Sequence, residues 1–119
     1  MPSHGKIDYI ELPAANFESV EKFYSTVFGW TFTSYGPQYH AFTDGNMDGG
    51  FYVSDAYSST KNGAALVIFY SQDLEAHYQS VVEAGGIIVQ EIFSFPGGRR
   101  FHFTDPAKNE LAVWTDVEA

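Results

Sequence analysis

Apolar and polar positions alternate along "KIDYIELP" (6–13), so a strand is expected there, closed by Pro13. At Phe17 the period changes. Phe17, Val20, Phe23, Tyr24, Val27 and Phe28 recur at i, i+3, i+6, i+7, i+10 and i+11, one face of a helix reading "FESVEKFYSTVF". Asn16 is its expected N-cap, Gly29 its terminator, and Glu18, Glu21 and Lys22 belong to its wet face. Three short strands follow, "WTFTSY", "QYHAFTD" and "FYVSD", separated by Gly36-Pro37 and by the turn "GNMDGG". The second half repeats the order. "AALVIFY" reads as a strand, and Asp73 caps a helix "LEAHYQSVVEA" that Gly85-Gly86 ends. Strands "IIVQEIFSF", "RRFHFTD" and "NELAVW" come after it, the first two joined through Pro96-Gly97-Gly98.

The pattern is therefore βαβββ twice, with "AFTDGN" (41–46) and "HFTDPAKN" (102–109) at corresponding points. Module 1 spans about 6–54 and module 2 about 63–116, inside one domain covering 1–119. The fold class is α+β, its eight strands forming a curved, partly open sheet. A helix covers one face of each half. If the halves curve toward each other, the remaining faces enclose a pocket suited to a small molecule.

Composition narrows the partners. The net charge is −9, from 15 acidic against 6 Lys and Arg residues, which disfavours nucleic acid and anionic membranes. The absence of cysteine excludes disulfides, thiolate metal sites and a Cys nucleophile. "MPSHGKIDY" lacks the apolar stretch of a signal peptide and no run reaches membrane-span length, so a soluble, cytoplasmic protein is expected. Aromatic residues make up 18% of the chain, more than a compact core needs, which points some rings to a cavity or a subunit interface.

The succession "YIELPA", "FYSTVFGW", "AGG" and "DPAKNEL" resembles the vicinal oxygen chelate superfamily, which includes glyoxalase I, extradiol dioxygenases and bleomycin-resistance proteins. The resemblance runs from about Lys6 to Trp114 and implies the glyoxalase/bleomycin resistance-like fold, a small-molecule ligand and a homodimer that sometimes completes its pockets between chains. It also implies a divalent metal held by His, Glu or Gln side chains that polarises two vicinal oxygens of the substrate. Carried over position by position, the ligand slots fall on Tyr9, Leu66 and Ala112, with the fourth near Gly50 to Tyr52. None supplies a carboxylate or imidazole. Glu110 lies two residues before the slot at Ala112. The expectation is accordingly no metal and no other cofactor.

Period-2 alternation assigns Ile7, Tyr9 and Glu11, then Leu66, Ile68 and Tyr70, and finally Glu110, Ala112 and Trp114 to the cavity side. These residues make an aromatic, mostly apolar cleft with one or two carboxylates, suited to a flat or cationic ligand. Glu11, if buried among the rings, has a raised pKa and is the candidate general base; the plainer reading bonds it to a neighbouring Tyr or to Lys6. His40 and His102, on neighbouring strands, complete a mixed N/O donor set with Glu11 and Glu110 on paper, although half-buried strand positions explain them more simply. His4 and His77 read as surface residues. Arg99 is the candidate clamp for a ligand carboxylate, against a solvated pair of Arg99 and Arg100 facing surface acids. Trp30 reads as core or interface packing, and Asp105 and Asn109 as bonding the amides of their own turn. Three readings of function stand: a metal-free small-molecule binder; a lyase, isomerase or dioxygenase using Zn, Ni, Mn or Fe through rearranged ligands; and a structural or regulatory dimer with a closed cleft.

Overall fold

The structure, a computed structural model, describes residues 2–118; Met1 and Ala119, the ends of the expected domain, lie outside the described residues. The first module contains β1 (Tyr9–Ala14), α1 (Phe17–Phe28), β2 (Thr31–Ser34), β3 (Tyr39–Thr43) and β4 (Asp48–Val53). The second contains β5 (Val67–Tyr70), α2 (Leu74–Glu83), β6 (Ile87–Phe95), β7 (Gly98–Thr104) and β8 (Glu110–Thr115). A short 3₁₀ turn, Thr60–Asn62, interrupts the connection between them. The βαβββ duplication is as expected. The eight strands divide into two four-stranded sheets, ordered β1-β4-β3-β2 and β5-β8-β7-β6. In each sheet the outer first strand pairs in parallel with the last, and the other pairings are antiparallel.

Local chemistry sets the helix ends. Asn16 accepts the Ser19 amide at 3.1 Å and Gly29 takes φ 72°, which ends α1. Asp73 accepts the Ala76 amide at 3.1 Å at the start of α2. Two strand boundaries differ from the sequence reading. β1 continues through Pro13, which an edge strand tolerates because only one side of it is laddered. β4 begins inside the glycine-rich stretch, since Gly49 and Gly50 lie beneath rings of β3. A Cβ on Gly49 would meet the Ile10 carbonyl at 2.2 Å and the Phe42 ring at 2.4 Å; one on Gly50 would meet the Tyr39 hydroxyl at 2.0 Å.

The core lies on the helix side of both sheets. Leu12, Phe42 and Phe51 come from the first sheet, Phe101, Phe103, Leu111 and Val113 from the second. Helix α1 serves both. Tyr24 packs on Phe51 and stacks on Trp30, Phe23 meets Phe103, and Phe28 stacks on Phe69 at 4.0 Å between centroids. Each fully buried ring contributes about 2–3 kcal/mol of apolar burial. Trp30 is a core residue, as its position after Gly29 suggested.

The turn after β7 fastens the modules together. Asp105 caps the amides of Ala107 and Asn109, as expected, and also accepts the Tyr24 hydroxyl of α1 at 2.8 Å. Asn109 donates to the Pro13 carbonyl at 2.8 Å and accepts the Ser58 amide at 2.8 Å. Burial raises the Asp105 carboxyl above its usual range, against the opposing pull of those donors. Because α1 occupies the space between the inner faces, the opposite face of each sheet is left open. Tyr9 is 43% exposed on one, Tyr70 48% on the other.

Candidate functional site

Register sorts every candidate by face. On the first sheet Glu11 pairs with Gly50 and Gly50 with Ala41; Tyr9 pairs with Asp48; Tyr39 stands opposite Tyr52. These residues share the open face. Tyr39 fills the space over Gly50 and donates to Glu11 Oε2 at 3.0 Å. Its proton being used there, the 2.6 Å contact between the two phenols has Tyr9 donating to Tyr39. A chain Tyr9→Tyr39→Glu11 therefore crosses the open face. Burial, then the bonds with Tyr9 and Glu11, hold the Tyr39 phenol well above its ordinary pKa.

On the second sheet Ile68, Ala112 and His102 share one row, Tyr70, Trp114 and Arg100 the next, and Glu110 with Thr104 a third. Glu110 is clasped by the connection between modules: its Oε1 accepts the Thr60 amide at 3.0 Å and hydroxyl at 2.8 Å. Its Oε2 lies 3.2 Å from His102 Nδ1. Burial pushes the Glu110 carboxyl up, but the Thr60 and His102 bonds outweigh it and the net shift is downward. An ionised Glu110 makes His102 Nδ1 the donor. His102 Nε2 is buried without a partner. A cleft of about 760 Å³ runs beside this pair, lined by Tyr57, Thr60, Ile87, Val89, His102 and Glu110 among others.

Several expected positions are corrected. His40 pairs with Phe51, which pairs with Leu12, so it faces the helix side and bonds to Glu21 of α1. Arg99 also faces the helix side, where Glu75 takes its guanidinium at 2.5 Å; the surface-acid pairing is the one that forms. Its neighbour Arg100 is on the open face, with its guanidinium 5.3 Å from the Phe93 ring centre and 5.5 Å from that of Phe95, and no salt bridge among the described residues. Strand parity with His102, two residues along, is the signal that selects Arg100 over Arg99. Glu11 is exposed rather than buried among rings, because β1 is an edge strand and the second sheet does not cover it. Leu66 is half-buried just before β5, and Ile7 precedes β1, largely exposed. Tyr39 and Thr60 were missed; one acts through strand register and the other through the connection between modules, which no local pattern reveals.

The expected single cleft is likewise divided. Tyr9 lines a depression on the first sheet with Thr33, Tyr35 and Ala41, whereas Glu110 and His102 line the cleft on the second. Neither of these two is bounded by the open faces of both sheets. At the expected ligand positions the Tyr39 phenol lies over Gly50 and Ala112 offers a methyl; among the described residues no three His, Asp or Glu side chains converge.

Comparison with known proteins agrees with this architecture. Residues 6–113 match the family model of the Glyoxalase/Bleomycin resistance protein/Dioxygenase superfamily. A glyoxylase-like domain-containing protein of Didymella fabae is 34% identical over 118 residues, covering 88% of this chain and 91% of its own. Among solved structures, a glyoxalase/bleomycin resistance protein/dioxygenase family enzyme from Burkholderia phytofirmans superposes with TM-score 0.77 at 15% identity, over 92% of this chain and 98% of that one. Lactoylglutathione lyase from Agrobacterium tumefaciens superposes with TM-score 0.69 at 19% identity, over 93% of each chain.

Proposed function

The chain belongs to the Glyoxalase/Bleomycin resistance protein/Dioxygenase superfamily, and from that premise we propose that it binds a small aromatic molecule without the superfamily's divalent ion. The observation that carries this reading is the phenol chain at the metal slots. Tyr39 lies over Gly50 and hydrogen-bonds both Tyr9 and Glu11, so the space of an ion and its carboxylate is taken by a ring. Across the fold, Tyr70, Trp114 and the Phe93 and Phe95 rings beside Arg100 give the second open face a matching aromatic character.

Each open face is half a cleft, and a second copy of the chain supplies the other half. In this reading the first sheet of one copy faces the second sheet of its partner: the acids Glu11 and Asp48 complement the cation Arg100, and the exposed Tyr9, Ile68 and Tyr70 supply apolar surface to bury. The ligand lies between them, its ring on the aromatic side chains.

The test is a thermal-shift and titration series with 2-naphthoate and phenyltrimethylammonium, each with and without EDTA, alongside metal analysis and light scattering. The expected result is a dimer whose melting temperature rises with an aromatic ligand equally in both buffers. Stoichiometric metal whose removal abolishes ligand binding overturns the reading. That outcome favours the second reading, a metal-dependent lyase, isomerase or dioxygenase with rearranged ligands, which the juxtaposed His102 and Glu110 would serve.

A further inference from the structure

A separate crevice of about 500 Å³ opens on the helix side, between the first and second modules. Its walls include Leu12 of β1, Phe28 at the end of α1, Trp30, Met47, Phe69 of β5 and His77 of α2. Ile68 and Tyr70 of the second open face also border it, so the crevice meets that face along the β5 edge. Two features make it more than a gap between packed elements.

The first is Trp30. Its ring is clamped between Tyr24, 4.2 Å away at 11°, and Phe42, 4.1 Å away at 18°. The residue is 6% exposed, and its indole N–H is buried with no hydrogen-bond partner. A buried donor left unpaired is costly, and a ring held on both faces cannot turn to find an acceptor elsewhere. The second is His77, expected at the surface but half-buried, with its ring parallel to Phe28, which is itself parallel to Phe69. Ser71 Oγ accepts the Asp73 amide at 3.0 Å and lies 2.7 Å from His77 Nδ1. In the tautomer where the hydroxyl gives its proton to Nδ1, His77 carries its own proton on Nε2.

We propose that this crevice is a second small-molecule site, which takes an uncharged, flat aromatic carbonyl compound. The stack His77–Phe28–Phe69 provides parallel ring surface, Met47 an adaptable wall, and the indole and imidazole N–H groups the donors for a carbonyl oxygen. Its size is that of a site for a two- or three-ring ligand. Charge selects against an anion: the mouth carries Asp44, whose Oδ1 is already engaged by the amides of Asn46 and Met47, and the chain as a whole is at −9.

The experiment uses 2-acetylnaphthalene, with 2-ethylnaphthalene lacking the acceptor and 2-naphthoate replacing the ketone by a charge. The readout is the pair of indole N–H resonances in ¹H–¹⁵N spectra, Trp30 and Trp114, assigned with Trp114→Phe. The ketone is expected to move the Trp30 resonance saturably and leave Trp114 in place. Loss of one neutral hydrogen bond predicts binding about fivefold weaker for the hydrocarbon, and about fivefold weaker for the ketone in His77→Phe, which keeps the stacked ring. A stationary Trp30 resonance, or, read at that resonance, equal affinity for ketone and hydrocarbon, tighter binding of the carboxylate, or an unchanged His77→Phe, each overturns the proposal. A shift confined to Trp114 reports the open face instead, and also overturns it.

Discussion

The two modules share a chain order, and their inner faces share a solution, yet their "FTD" turns behave differently. Asp44 is exposed and its carboxylate caps only its own turn, through Asn46 and Met47. Asp105, at the corresponding point, is buried and holds a helix of the other module through Tyr24. The open faces diverge in the same way. In the first module the neighbouring phenol lies over a glycine; in the second the corresponding alanine leaves the face to His102, Glu110 and Arg100. Duplication fixes where the backbone goes. Which copy's turn becomes a fastener depends on which one meets the other module's helix.

This contrast can be broken most forcefully at the turns. Asp105→Ala strands the Tyr24 hydroxyl and two amides in a buried site and is expected to cost about 3–4 kcal/mol, whereas Asp44→Ala costs less than about 1 kcal/mol. Urea midpoints compare the two directly, and equal losses would mean the turns are equivalent after all.

The slots come next. Gly50→Ala drives a Cβ into the Tyr39 hydroxyl and should destabilise by about 1–2 kcal/mol while displacing the ring from Glu11. Ala112→Gly should cost about 1 kcal/mol through backbone entropy and lost packing. Thermal unfolding gives the energies, and ultraviolet titration of the tyrosines shows whether the phenol chain is gone. A Gly50→Ala protein with an intact Tyr39 bond would contradict the filled-slot account.

The modules also differ in the sign of their pH response. The Glu110 carboxyl lies below its ordinary value, near 4.5, so its contribution is complete above that value and disappears as pH falls through the folded-state value. The Tyr39 phenol lies above its ordinary value of 10.0, so its contribution is complete below that pH and is lost as pH rises further. Stability profiles of Glu110→Gln and Tyr39→Phe should therefore flatten on the acid and alkaline side respectively. Flattening on the opposite side would show the shifts are misassigned.

The smallest effect separates the adjacent arginines. Arg99→Met removes a pair with an exposed Glu75 and should change stability by less than about 1 kcal/mol, without touching ligand binding. Arg100→Met loses contacts with Phe93 and Phe95 worth about 0.5–1 kcal/mol and should weaken 2-naphthoate binding in the titration series. If Arg99→Met weakens it more, the faces have been exchanged.

The sequence by itself determined the two βαβββ units, the caps at Asn16 and Asp73 and the stop at Gly29, because periodicity and capping are properties of neighbours along the chain. Tertiary structure decided the rest. A strand's residues alternate between two faces, but which face is covered depends on where the partner layer lies. Here the helices cover the inner faces, which sent His40 toward α1 and Arg99 toward α2, left Glu11 in solvent, and put Tyr39 over Gly50. Pairing between strands and packing between modules are long-range relations, and short-range pattern carries no record of them.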